Sequence, residues 1–315
     1  MHPACRRLER AASALLAIFL ATILSGCALL GNSNTNPSFR EYREYMAERA
    51  AVEVAEVEEE EQSFEEKLET ARRFHRTGDV NQAMRLYFDA FRLNPDDPRA
   101  HEGIAYLQLA DEPERAETVF QKIIEANPKS AMAHLGVGLA KLAQDDAEGA
   151  VPYLEQAIQL NPSSAEAHDS LAVALDRLER FPEAQVHARR ARELAPGDAG
   201  IANNLGVSNL LAGNYDQAEK AFRNAISLNR RDPAYSNNLG IALGMQGRYE
   251  AALKAFREAG DEQVAESNLA HVYYQNGLLD DAITHYQLAL EIGGEHDEQV
   301  LRQLNRVYDA LAAME

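Results

Sequence analysis

Small and apolar side chains recur along most of this chain with one long period, and inside each period they keep helical spacing. Alanines stand at Ala83, Ala116, Ala150, Ala184, Ala218, Ala252 and Ala282, separated by 33, 34, 34, 34, 34 and 30 residues. Four positions after each comes Tyr87, Phe120, Leu154, Ala188, Phe222, Phe256 or Tyr286, and three further on Ala90, Ile123, Ala157, Ala191, Ala225, Ala259 or Ala289. Offsets of four and seven put all three columns on one helical face. Another small column lies twelve residues before most of these alanines, at Ala71, Gly138, Ala172, Gly206, Gly240 and Ala270, with Ala105 one place nearer through a deletion. Turn signals at Gly78, Gly213, Gly247 and Gly277 split four of the units in two, and Pro95, Pro128, Pro162 and Pro196 close the first four. The pattern predicts pairs of antiparallel helices. The small residue of the first helix is expected against the alanine of the second, with the aromatic filling the wider part of the same groove.

Beyond the repeats, Val300, Leu301, Leu304, Val307, Tyr308 and Leu311 form a stripe that predicts a capping helix over 297–315, covering the apolar face of the last unit. Residues 38–63 also read as helix, with Tyr42, Tyr45, Met46 and Val52 on a partial stripe. The acidic run Glu56, Glu58, Glu59, Glu60 and Glu61 at its end reads as a solvated helix face or a disordered spacer.

At the start, an apolar run from Ala11 to Leu24 follows Arg6, Arg7 and Arg10, which is the grammar of an export signal. As a helix it would span about 21 Å, short of the ~30 Å hydrocarbon core of a bilayer. The polar, turn-rich residues 31–37 that follow read as a tether. Loss of the basic segment would make the remainder two charges more negative than the −19 of the whole chain. A surface so acidic repels phosphates and excludes a nucleic-acid partner. It also argues against adhesion to anionic lipid by charge alone, so membrane attachment has to be covalent.

The repeat columns resemble the tetratricopeptide repeat. That resemblance covers residues 64–296 and implies an all-α, right-handed superhelical solenoid of about seven helix-turn-helix units: 64–97, 98–130, 131–164, 165–198, 199–232, 233–262 and 263–296. It also implies that the first helices line a concave face that binds a protein or an extended peptide. On that face the columns place Leu210, Ile241 and Tyr274 among Asn203, Asn204, Asn237, Asn238 and Asn268. Asn204, Asn238 and Asn268 occupy one column in three successive units and resemble the ladders with which some repeat proteins grip a peptide backbone, since a carboxamide both donates and accepts. The alternative is that they brace neighbouring helices.

The tetrapeptide Leu24, Ser25, Gly26, Cys27 resembles the lipobox of bacterial lipoproteins. The resemblance implies a signal peptide over 1–26, a lipidated Cys27 opening the segment 27–37, and palmitate among its acyl chains. Ala28, where sorting signals for the inner membrane carry Asp, implies the periplasmic face of the outer membrane. Lipobox, tether and repeats together resemble the assembly lipoproteins of tight-adherence (Flp) pili, the TadD family, and less closely the pilotins of type IV pili. Those families imply assistance to an outer-membrane secretin. A scaffold for polysaccharide export or cell-wall synthesis is the alternative.

No catalytic constellation stands out. His101, His134 and His168 share one column of the repeat, which reads as a packing ring rather than a metal ladder. No HExxH or Gly-rich phosphate loop is present. A non-enzymatic chain without cofactor, metal or small-molecule substrate is expected.

Overall fold

The computed structural model describes residues 63–294 and 297–313, which form fifteen α-helices and no strand. Residues 1–62, with the lipobox, Cys27 and the acidic run, lie outside the described residues. The chain divides into two compact units, the first ending at Asp96.

In the first unit, α1 (Phe64–Arg76) and α2 (Val80–Leu93) form one antiparallel pair. Ser63 opens α1 with a capping box, its hydroxyl accepting from the Glu66 amide while the Glu66 carboxylate accepts from the Ser63 amide. Leu68, Ala71, Ala83, Tyr87 and Ala90 are buried in this unit.

The second unit holds six further pairs and a closing helix. The pairs are α3 (Pro98–Gln108) with α4 (Pro113–Ala126), α5 (Ala131–Ala143) with α6 (Ala147–Leu160), and α7 (Ala165–Arg177) with α8 (Phe181–Leu194). After them come α9 (Ala199–Leu211) with α10 (Tyr215–Leu228), α11 (Pro233–Met245) with α12 (Tyr249–Ala259), and α13 (Glu262–Gln275) with α14 (Leu279–Gly293). The closing helix is α15 (Glu298–Ala312). Within this unit each helix packs on the next in sequence. First helices of successive pairs also touch, from α3 to α15, whereas second helices of successive pairs do not. The first helices therefore form the inner, closely spaced row.

The joints between pairs have a local cause. Asn127, Asn161 and Asn229 end their helices, a turn brings in Ser130, Ser164 or Asp232, and the side chain of that residue accepts from an amide of the next first turn. Proline just after the C-cap stops one helix, and Ser or Asp starts another. Inside the pairs, Gly213, Gly247 and Gly277 take φ of 76°, 77° and 75° in the left-handed region. Asp145 and Glu179 occupy the same turn column with φ of 62° and 57°, a conformation that costs an L side chain about 1–2 kcal/mol.

Packing corrects one expectation. The atoms nearest the small residue of the first helix belong to the large column of the second rather than to its alanine. A Cβ built on Gly240 would stand 2.5 Å from Phe256 Cε1, and one on Gly138 2.5 Å from Leu154 Cδ2. Gly206 faces the Phe222 ring in the same way. The alanines at 218, 252 and 282 are fully buried at other points of the same cores. In α15 the core takes Val300, Leu304 and Val307, packed with Ala270, Ala282, Tyr286 and Ala289. Tyr308, expected in that stripe, is exposed, and its hydroxyl accepts from Gln287 Nε2 at 3.2 Å.

Candidate functional site

The inner row carries the groove columns on helices whose opposite faces are fixed in the core. Leu210 and Ile241 are half-buried against the core around Phe222 and Phe256, and Tyr274 is half-buried against the core around Tyr286. Their remaining surface is what the inner face offers. The more exposed apolar residue of α9 is Leu211, which the sequence columns did not single out.

The asparagines act on one another across successive inner helices. Asn238 Nδ2 donates to Asn203 Oδ1 at 2.8 Å, and Asn268 Nδ2 donates to Asn237 Oδ1 at 2.7 Å. Asn204 Nδ2 donates to Asp169 Oδ2 at 2.8 Å. Three rungs thus link α7 to α9, α9 to α11 and α11 to α13. The five residues form a brace first, and each NH2 group keeps one further donor for a partner.

Asp169 and Asp176 were missed in the sequence, although a signal was there. Asp169 fills the column of Asn203, Asp176 the column of Leu210, and with Glu166 and Val173 they share one face of α7 at offsets of three, four and three. Asp169 Oδ1 is buried with no hydrogen-bond partner among the described residues. Burial pushes the Asp169 carboxyl up to about 6 against the Asn204 bond that lowers it, and Asp198 nearby adds to the rise. Asp176 is also pushed up to about 6 by burial, while the Ser208 hydroxyl, donating at 3.2 Å, holds it back. Glu166 is open to solvent over part of its surface, yet the groove walls desolvate its carboxyl and, with Asp169 and Asp198, raise it to about 7.

Beside these carboxyls lies a cavity of about 400 Å³ lined by Val173, Asp176, Arg177, Glu179, Phe181, Asn204, Val207 and Leu211, mostly apolar. Arg177 lines it, but its guanidinium is engaged elsewhere, donating to the Leu142 carbonyl at 2.8 Å and to Asp145 at 3.2 Å.

The histidine column serves packing. His134 and His168 are buried, with Nε2 at 3.0 Å from the Pro128 carbonyl and 3.4 Å from the Pro162 carbonyl. His168 Nδ1 meets His187 Nδ1 at 3.0 Å, and burial lowers both imidazoles. In the last pair the same column is Glu266, 2% exposed, held by His285 Nδ1 at 2.6 Å and Arg257 at 3.3 Å. Among the described residues no three His, Cys, Asp or Glu side chains come together as a metal site.

Comparison with known proteins agrees with this architecture. One tetratricopeptide repeat pattern matches residues 68–131, 102–165 and 204–263, a second matches 141–205 and a third 267–293. A search of curated proteins gave no match. Among solved structures, a chain of the APC/C hetero-tetramer Cut9-Hcn1 is 18% identical with a TM-score of 0.58, over 84% of this chain and 53% of that one. The present chain thus spans about half the length of that relative. Pseudomonas aeruginosa pilF is 19% identical with a TM-score of 0.51, over 66% of this chain and 96% of its own. A thermophilic repeat protein of Thermus thermophilus is 20% identical with a TM-score of 0.49, over 61% and 100%. Tetratricopeptide repeat proteins bind proteins or peptides and are in general scaffolds without catalysis. With the helix pairs, their size-matched columns and the repeat pattern matching half of its length, this chain belongs to the tetratricopeptide repeat family.

Proposed function

We propose that the chain is a lipid-anchored scaffold on the periplasmic face of the outer membrane, holding a segment of a partner protein during assembly of an envelope machine, a pilus secretin being the first candidate. The observation that carries the binding role is the inner row of first helices. It presents Val207, Leu210, Ile241 and Tyr274 half-buried beside carboxamides that recur from helix to helix. Such a face is braced before a partner arrives, so binding orders few side chains.

The anchor rests on Leu24, Ser25, Gly26 and Cys27 after the apolar run and before the polar tether. Acyl chains contribute about 0.8 kcal/mol per buried CH2, and more than one chain makes attachment stable. The pilus reading is supported by the resemblance of the whole arrangement to the TadD family, and the likeness to pilF extends over most of that chain in fold. The test compares three strains: wild type, one lacking the protein, and one carrying Cys27→Ser. A palmitate analogue should label the wild type and not the variant, and secretin multimers in the outer membrane should fall in both altered strains. An unlabelled, soluble wild type removes the anchor. Unchanged secretin multimers in the strain lacking the protein remove the pilus role.

A further inference from the structure

The geometry points to the inner face of α7 and α9 as a docking site for a segment bearing lysine or arginine residues, with separate cations against Asp169 and Asp176 and an aliphatic stem in the cavity of Val173, Val207 and Leu211. This rests on the reading of the inner row as the binding face and names the chemistry of the partner.

Three observations carry it. The cavity has apolar walls with carboxyls beside them: Asp176 and Glu179 line it, and Asn204, which lines it too, hydrogen-bonds Asp169. Lysine and arginine have the matching shape, an apolar stem with a cationic head. Second, these carboxyls lack cations. Asp176 has only the Ser208 hydroxyl, Asp169 has only Asn204 and leaves Oδ1 buried and unpartnered, and the Glu179 side chain has no hydrogen bond or ion pair among the described residues. Arg177, the cation in the wall, is turned to Leu142 and Asp145. Third, other sheltered acids of this unit do find cations. Glu219 has Arg223 at 2.9 Å and Arg248 at 2.7 Å, Glu117 has Lys141 at 3.4 Å, and Glu266 has Arg257 and His285. Arriving cations would restore charge balance and hold Asp169 and Asp176 ionised, whereas an anionic segment would meet carboxylates in a low-dielectric groove.

Asp169→Asn is compatible with the fold because the next rung is already Asn203 with Asn238. The test uses fluorescein-labelled eight-residue peptides alternating leucine with arginine, glutamine or glutamate, titrated by anisotropy against the full chain and three variants. Asp169→Asn with Asp176→Asn removes the site charges, and Glu258→Gln with Glu291→Gln removes two exposed charges from second helices as a charge-matched control. Leu211→Asp replaces an exposed apolar wall residue with a charged one and so destroys the apolar part. The arginine peptide should bind at least tenfold tighter than the glutamine peptide, and the Asp169/Asp176 variant should lose that preference while the control keeps it. Binding should also weaken as pH falls through about 6. Equal binding of arginine and glutamine peptides, abolished by Leu211→Asp, overturns the cation site and leaves the binding face standing. Binding of the arginine peptide that falls equally in the control and the site variant overturns the site as general charge attraction. No binding of any peptide, or binding untouched by Leu211→Asp, counts against the inner face itself. Dimers of the free chain that dissociate in the Asp169/Asp176 variant would overturn the inference in favour of a second copy as occupant.

Discussion

Replacing Gly240 with alanine tests the size matching that sets the distance between paired helices. The new Cβ would stand 2.5 Å from Phe256 Cε1, where carbon atoms in contact prefer about 3.5–4.0 Å. The ring must retreat by about 1 Å, and it cannot swing into solvent because Phe256 is 0% exposed among Ala218, Phe222, Leu239 and Leu243. Overpacking of this kind costs about 1–3 kcal/mol. Against it stands the gain of about 1 kcal/mol for alanine over glycine inside a helix. The expected net loss is about 1 kcal/mol, or roughly 2–4 °C in melting temperature for a chain of this size. With Phe256→Ala in the background the same substitution should stabilise by about 1 kcal/mol, since the methyl then enters empty space. That combination copies Ala172 and Ala188, which hold these two columns in the pair α7 and α8. Urea unfolding of the four proteins, followed by far-ultraviolet circular dichroism, gives the coupling, expected near 2 kcal/mol. If Gly240→Ala stabilises by the same amount in both backgrounds, with coupling under about 0.5 kcal/mol, the size-matching argument fails.

Glu266→Ala should destabilise by about 1–3 kcal/mol because it leaves the half-buried His285 without its hydrogen-bond partner while Arg257 keeps Glu262, and a melt within 1 °C of wild type would refute that role. Glu179→Gly should stabilise by about 1 kcal/mol, relieving a φ of 57° at a column that elsewhere holds Gly213, Gly247 and Gly277; a loss in thermal melts would contradict it. The raised pKa values of Asp169 and Asp176 favour the folded state when these carboxyls are protonated, so their contribution is fullest below about pH 4 and is lost as pH rises through about 6. Asp169→Asn with Asp176→Asn should therefore gain stability relative to wild type at pH 8 and lose that advantage toward pH 4, measured as the difference between the two melting curves. A difference independent of pH would mean that the two carboxyls titrate normally.

The repeat was legible in the sequence because helix pairing depends on local rules. Small residues at Gly206 and Gly240, large ones at Phe222 and Phe256, and the stops at Pro128 and Pro162 act within one unit, and their period survives in one chain without any relative beside it. The closing helix followed from its own stripe, except that Tyr308 turned outward while Val307 beside it went in. What the columns contact was a different matter. Whether Gly240 meets an alanine or a phenylalanine depends on the rotation of two helices about their axes, which periodicity leaves free, and the packing of Phe256 decided it. The asparagines show the same division. Their spacing marked Asn204, Asn238 and Asn268 as one column, but a carboxamide serves a brace and a ligand equally, and only the approach of neighbouring helices set them at 2.7–2.8 Å from Asp169, Asn203 and Asn237. Asp169 and Asp176 were hidden among 50 acidic residues, since charge along a chain says nothing of desolvation. The helices around them removed water and left the cations elsewhere, which is a property of the groove and not of the residues.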